Sequence, residues 1–297
     1  MLGYIYSAIT LFAGTAKGYC GKRISEFTTK ISDAIHISAL RMAVSAIFGF
    51  LFLLLQGKFS YMGLSVSSAL CVLWSAIANS AFVVLWLCCV HSDAYMLVEV
   101  ALTLGVPIAV CGSVCIPALN ETLRMNSVIG MLALVIAAVL MQGYNRQMHR
   151  ERLSVKKLLL LIALPISSGL ADLSQKYYIV SVESADAAVF SFYTFLLSAL
   201  ILGICCLLQK QKCKIPNGAT KKILLYTAAM AICLFANMYF KTMAAAIMSS
   251  AVLYPLLQCC SMLLGLAMSA FVLKEKPTLQ ACAGVLIAVV GIVIINF

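Results

Sequence analysis

The 297-residue chain is 63% hydrophobic and only 10% charged. Soluble globular proteins contain about 45–50% apolar and about 25% charged residues, so this composition excludes a water-soluble domain and indicates an integral membrane protein. The formal net charge of +11 is typical, in such a protein, of basic loops at anionic lipid surfaces and not of nucleic-acid binding. The 13 cysteines lie mostly within apolar runs and the histidines number three, so we expect no metal site and no cofactor.

Hydropathy predicts an all-α protein with ten transmembrane helices, each about 20 residues long. In chain order the predicted helices cover residues 3–20, 35–55, 66–90, 94–118, 126–144, 157–178, 186–208, 222–240, 247–272 and 278–296. Loops after odd-numbered helices contain 15 Lys and Arg residues, against four after even-numbered helices. The positive-inside rule therefore places the odd loops in the cytoplasm and both termini outside.

The two halves of the chain are similar at an offset of 154 residues. Glu121 precedes Gly130 by nine positions, and Glu275 precedes Gly284 by the same interval. Each half contains five helices, and because five is odd the second half enters the membrane from the opposite side, which predicts inverted repeats. The predicted domains are a first five-helix repeat at 1–145, a basic linker loop at 146–156 and a second five-helix repeat at 157–297.

The chain resembles the drug/metabolite transporter superfamily, of the ten-helix EamA-like type. The resemblance depends on the Glu121–Gly130 and Glu275–Gly284 segments, on Ile37-Ser-Ala-Leu-Arg41 in the second helix and on Gly169-Leu-Ala-Asp-Leu-Ser-Gln-Lys176 in the sixth. The resemblance covers essentially the whole chain. It implies a multi-pass transporter in the plasma membrane whose fifth and tenth helices lie away from the cavity. The resemblance also implies cytoplasmic termini, whereas the charge count places the termini outside, so both orientations stay open. A homodimer also stays open.

Ionisable residues within spanning helices are costly and indicate function or a paired structural role. Glu99 lies about six residues into the fourth helix, at the depth of Lys17 and Arg41, while Asp172 and Lys176 share a face near the opposite membrane surface. We expect all five to be coupling or gate residues. Glu99 is the predicted site of proton coupling or cation recognition, and the alternative for each residue is a structural ion pair or a cation reaching the interface.

Polar and aromatic side chains near mid-membrane predict a substrate cavity. The predicted lining consists of Trp74, Asn79, Tyr95, Tyr193, Asn237, Tyr254 and Gln258. Each of them singly is also explained by helix packing, so the prediction depends on the group. Trp86, Tyr177 and Tyr178, near predicted helix ends, are expected to be interfacial anchors.

The sequence contains no His-Glu-x-x-His, Gly-x-Ser-x-Gly or phosphate-binding glycine motif. We therefore expect no catalytic residue and predict a secondary transporter that moves an amino acid, amine or similar solute by alternating access. Its expected partners are the substrate, membrane lipids and protons. Two alternatives stay open: a transport-inactive assembly or lipid-handling protein and, with less support, an intramembrane enzyme.

Overall fold

The computed structural model describes residues 1–28, 30–57, 63–92, 95–148, 155–209, 220–272 and 279–296. Nearly all of these residues are helical, and no strand occurs among them. The helices are α1 (Leu2–Ser25), α2 (Ile31–Gln56), α3 (Val66–Ser92), α4 (Tyr95–Thr103), α5 (Val106–Cys115), α6 (Met125–Met148), α7 (Val155–Ser181), α8 (Ala187–Leu208), α9 (Thr220–Ile247), α10 (Ser250–Ala267) and α11 (Leu279–Asn296). Short 3-10 and π segments follow α5 and α10, at Pro117–Leu119 and Met268–Val272.

The expected all-helical membrane architecture is confirmed. In the described part of the chain, five helices are long and apolar enough to cross a bilayer by length and composition. They are Ile31–Gln56, Val66–His91, Ala187–Leu208, Lys221–Ile247 and Ser250–Val272. Both helices next to the predicted linker at 146–156 extend into it, because α6 continues to Met148 and α7 begins at Val155.

The predicted single helix at 94–118 is wrong, because the structure divides it into α4 and α5. Leu104 and Gly105 form tight turns, with backbone N–H groups donating to Ala101 and Leu102 carbonyls at 3.2 and 2.9 Å. Pro107 lies in the first turn of α5, where its missing N–H is tolerated, whereas within a continuous helix it would remove a hydrogen bond. The break brings Gly105 against α7.

Glycines allow two close helix crossings. A Cβ added to Gly169 on α7 would lie 2.6 Å from the carbonyl oxygen of Gly105, and one added to Gly291 on α11 would lie 3.0 Å from the carbonyl oxygen of Gly130 on α6. The first crossing lies beside the central cavity. The second joins α6 to α11, which contribute no residue to that cavity.

Candidate functional site

A cavity of about 130 Å³ lies between α1, α3, α4, α5, α7, α9 and α10. One water molecule needs only about 10–15 Å³ by the same measure, so the space accommodates several heavy atoms. Four residues with a formal charge line it, namely Lys17, Glu99, Asp172 and Lys241. Two acids and two lysines give the cavity a balanced formal charge, which is unusual for space within a bilayer.

Asp172 and Lys241 form an ion pair across the cavity between α7 and α9. The Lys241 ammonium donates to Oδ1 of Asp172, and each side chain is 21% exposed. The Tyr254 hydroxyl donates to the backbone carbonyl of Asp172 at 2.7 Å, which joins α10 to the same group. Since the pair is partly exposed within the cavity, a charged solute there has access to both of its members.

Glu99 lies on α4 and is 5% exposed. Its carboxylate accepts a hydrogen bond from the Ser261 hydroxyl at 2.9 Å, and its backbone carbonyl accepts one from the Gln258 amide at 2.9 Å. Both contacts come from α10, so α4 and α10 are joined at this acid. A change in the charge of Glu99 therefore acts directly on the contact between these two helices.

Lys17 on α1 faces the same space. Its ammonium lies 5.8 Å from the centre of the Phe82 ring, a distance at which the face of an aromatic ring attracts a cation. It also interacts electrostatically with Lys241, Arg41, Glu99 and Asp172. Lys17 therefore adds a cation to the cavity that contains both acids.

Hydrogen bonds, either to a neighbouring helix or within one helix, hold amide side chains in the cavity wall. Asn237 donates to the carbonyl of Thr10 at 2.8 Å, and Gln175 donates to the Thr242 hydroxyl at 2.9 Å. Asn79 donates to the carbonyl of Ser75 within α3 at 2.9 Å. These bonds fix the polar side chains in place, as expected for a preformed binding site.

The structure distributes the predicted lining residues among several places. Those in the cavity wall are Asn79, Asn237, Tyr254 and Gln258. Trp74 and Tyr193 lie outside it, with ring centres 6.4 Å from Tyr177 and 5.0 Å from Phe192, respectively. The faces of α3 and α8 that bear these two residues therefore do not face the cavity as the prediction required. Tyr95 begins α4, and its side chain is outside the described residues.

Three of the five predicted coupling and gate residues line the cavity, and two do not. Lys17, Glu99 and Asp172 line the cavity. Arg41 is not among the lining residues and is buried between α2 and α9, with 2% exposure. Lys176 is also not among the lining residues, and its ammonium lies 3.1 Å from the Glu121 carboxylate.

Sequence reasoning missed several wall residues. Trp86 was expected at the interface, but it is 3% exposed and lines the cavity, and Tyr178 is also 3% exposed and packs on Phe190 at 4.5 Å between ring centres. The anchor predictions for Trp86 and Tyr178 were therefore wrong. Gln175 is a further polar wall residue, and Lys241, which the sequence places at the end of the eighth helix with the Asp172 and Lys176 cluster, also lies in the wall. Among the residues described, no group of three or more His, Cys, Asp or Glu is placed to hold a metal ion.

Comparison with known proteins relates the chain to transporters. The sequence profile of the EamA-like transporter family matches residues 155–297. A protein solved by crystallography is similar over 98% of this chain and 95% of its own, with a TM-score of 0.77 and 12% sequence identity, which shows a shared fold. No curated protein is significantly similar in sequence.

Proposed function

We propose that the chain is a secondary transporter moving a small amino acid or amine by alternating access, because the profile of the EamA-like transporter family matches residues 155–297. The observation that carries the proposal is the central cavity with its two acids and two lysines. A buried, charge-balanced space with aromatic and amide walls suits a small polar solute. We further propose that the protein works in the plasma membrane.

We propose that the fold consists of two inverted five-helix repeats, with α4 and α5 together equivalent to α10. The packing of the helices supports this arrangement. A two-fold axis that exchanges the halves converts the α1–α9 pair into the α7–α3 pair and the α2–α9 pair into the α8–α3 pair, and all four pairs are in contact. The α2–α8 and α6–α11 pairs map onto themselves. The cavity then lies at the interface of the repeats, as in other transporters of this architecture.

One end of the cavity is closed by contacts that we call the Lys176–Glu121 network. The Lys176 ammonium binds the Glu121 carboxylate and donates to the carbonyls of Ala245 and Met248 at 2.8 and 2.7 Å. Glu121 in turn accepts from the Ser250 N–H at 2.9 Å. The network joins α7 to the end of α9 and the start of α10, one helical turn beyond Asp172. Opening on this side requires that these contacts separate.

At the other end, Glu99 connects α4 to α10 and lies near Lys17. We assign proton coupling to Glu99, because it is a buried carboxylate in the cavity wall and its side chain joins α4 to α10. Neutralising Glu99 weakens its bond from Ser261, since bonds to a charged acceptor are about twice as strong as neutral ones. Proton uptake is thereby linked to the α4–α10 contact.

The charges of the cavity favour a zwitterion or an amine over a phosphorylated solute. Asp172 offers a carboxylate to a substrate ammonium, and Lys241 offers an ammonium to a substrate carboxylate. A substrate bearing both groups replaces each half of this ion pair with an equivalent contact, so little charge is left unpaired in the bilayer. A phosphate ester, with its excess negative charge, leaves Asp172 and Glu99 uncompensated.

A ligand screen tests the substrate class directly. Purified protein is heated with amino acids, amines, sugars and sugar phosphates, since a ligand that binds only the native state raises the apparent unfolding temperature. We expect a rise with an amino acid or amine, lost in Asp172→Asn and retained in Glu26→Gln, which changes an acid that is 57% exposed. Stabilisation by sugar phosphates alone would contradict the assignment.

A further inference from the structure

Arg41 is a buried cation whose hydrogen-bonding capacity is mostly unused. Its side chain is 2% exposed and lies ten residues into α2, about 15 Å along the helix. Nη1 donates to the sulfur of Met230 at 3.3 Å, whereas Nε and Nη2 have no hydrogen-bond partner among the described residues. Arginine is almost never fully buried without a partner, because an uncompensated charge in low dielectric is costly.

Two hydroxyl groups on the same pair of helices are also buried without a hydrogen-bond partner. Ser38 on α2 and Thr227 on α9 are fully buried, and their oxygens lack partners in the described ranges. Ser38 precedes Arg41 by three residues and Thr227 precedes Met230 by three, so each hydroxyl shares a helix face with one member of the Arg41–Met230 contact.

The register of the two helices places both hydroxyls within about one helical turn of Arg41. Arg41 contacts Met230, and a Cβ added to Gly49 would lie 3.2 Å from the Phe235 ring. Contacts thus advance in the same direction along α2 and α9, so the helices are parallel. The Ser45 hydroxyl also donates to the Ala231 carbonyl at 3.2 Å, so the close contacts of these helices join residues 186 apart. Thr227 is therefore level with Arg41, and Ser38 lies about one helical turn before it.

The unused atoms of Arg41 form one edge of the guanidinium. The N–H groups of Nε and Nη2 point in the same direction and together match the two oxygens of a carboxylate. Among the residues that the structure describes, no carboxylate forms an ion pair with Arg41. The Lys17 ammonium is also close enough to repel Arg41 electrostatically, which adds a further reason for negative charge at this place.

We propose that Arg41, Ser38 and Thr227 form a binding site for a small carboxylate-type anion between α2 and α9. The site is separated from the central cavity by one layer of side chains. A Cβ added to Gly21 would lie 2.4 Å from Trp86 and 2.9 Å from Met230, so these two residues adjoin. Trp86 lines the cavity, and Met230 contacts Arg41. The site does not depend on the proposed transport function.

Formate, the smallest carboxylate, is the probe for this site. The protein has two tryptophans, so in Trp74→Phe protein the emission reports Trp86 alone. We expect sodium formate to change this emission saturably and to raise the unfolding temperature, and sodium gluconate, which is too large, to do neither at equal ionic strength. Identical effects of formate and gluconate would overturn the proposal.

Variants of the three residues assign the effect to this site. Arg41→Lys keeps the charge but removes the paired N–H groups, and we expect formate affinity to fall at least tenfold. Arg23→Lys is the matched control, because Arg23 is 39% exposed at the end of α1, and it should bind formate as the wild type does. If Arg41→Lys does not fold, Ser38→Ala and Thr227→Val are expected to weaken formate binding severalfold. Unchanged affinity in every folded variant would contradict the site.

The anion has two sources, which a competition experiment distinguishes. If the site accepts the carboxylate of a transported solute, the amino acid that stabilises the protein will displace formate. If it holds a free anion, both ligands bind together and their stabilising effects add. Either result assigns the occupant, while the absence of any formate response overturns the site even if the amino acid binds normally.

Discussion

The ammonium of Lys176 lies 3.1 Å from the carboxylate of Glu121, and the two side chains are only 6% and 11% exposed. The similarity between the two halves of the sequence identified Glu121 as a residue between the predicted fourth and fifth helices, without assigning it a contact. The structure shows that it binds the cation of α7 together with the backbone N–H of Ser250 at the start of α10. The acid therefore joins the two halves of the chain.

Removing one member of this buried pair should destabilise the protein. We expect Lys176→Met to lower the free energy of unfolding by about 3–5 kcal/mol, because it leaves the Glu121 carboxylate buried without its cation. Thermal unfolding in detergent measures the effect. The double variant Lys176→Met/Glu121→Gln should recover part of the loss, since no uncompensated charge remains.

The Arg23–Glu26 pair is the control for that measurement. It has a 3.5 Å separation and side chains 39% and 57% exposed, so Arg23→Gln should change the stability by less than about 1 kcal/mol. Equal losses in Lys176→Met and Arg23→Gln would mean that the Lys176–Glu121 network is not a buried structural link.

The same network makes stability depend on pH. Burial is the largest single influence on Glu121 and raises its pKa, but hydrogen bonds from Ser250 and Ser113 with the charge of Lys176 together outweigh it, so the pKa lies below its ordinary value of 4.5. A lowered pKa in the folded state stabilises the fold above the unfolded value, and this contribution disappears as the pH falls through the folded pKa. The stability difference between wild type and Glu121→Gln should therefore be constant near neutral pH and shrink below 4.5. A difference that grows on acidification would contradict this.

The crossing of α5 and α7 should tolerate no side chain. We expect Gly169→Ala to destabilise the protein by about 1–3 kcal/mol, because the new Cβ would lie 2.6 Å from the Gly105 carbonyl oxygen and 2.8 Å from Ile108. Gly203→Ala is the matched control on α8, where an added Cβ meets nothing within 4 Å and helix propensity favours alanine. Thermal unfolding distinguishes the two, and a harmless Gly169→Ala would show that the crossing is looser than the structure has it.

Hydropathy predicted where the helices lie but not how they rotate about their axes. Lipid and protein interior are both apolar, so a spanning helix lacks the polar stripe that shows which face of a soluble helix is outside. For this reason Trp74 and Tyr193 were predicted in the cavity wall, whereas Trp86, which does line it, was predicted at the interface. The depth of Glu99 and Lys17 along their helices could be predicted by counting residues. The position of Arg41 between α2 and α9, outside the cavity wall, could not, because it depends on how these two helices pack.

The break between α4 and α5 was also beyond a hydropathy reading. Leu104 and Gly105 are as compatible with an apolar run as their neighbours. Pro107 does not by itself predict a break, because proline also occurs inside α7, as Pro165, and inside α10, as Pro255. Only the close approach of α7 explains why the chain turns there. The local sequence contains residues that permit a break, and the packing of α7 determines that the helix breaks there.

Neutralising Glu99 should remove the pH dependence of transport. We expect exchange of labelled substrate by wild-type proteoliposomes to vary with pH and exchange by Glu99→Gln to be insensitive to it, because the variant has no proton to exchange at this position. Glu26→Gln should retain the wild-type profile. A Glu99→Gln protein with an unchanged pH profile would exclude Glu99 as the coupling group.

Counterflow of a labelled amino acid or amine into proteoliposomes loaded with the unlabelled solute tests the central claim most directly. The solute that stabilises the protein in the ligand screen is the one to use. A transporter with its substrate at the Asp172–Lys241 pair should accumulate label transiently, and Asp172→Asn should reduce the initial rate at least tenfold without loss of folded protein. A solute that binds the wild-type protein but never crosses the membrane would contradict the account and favour a transport-inactive membrane protein.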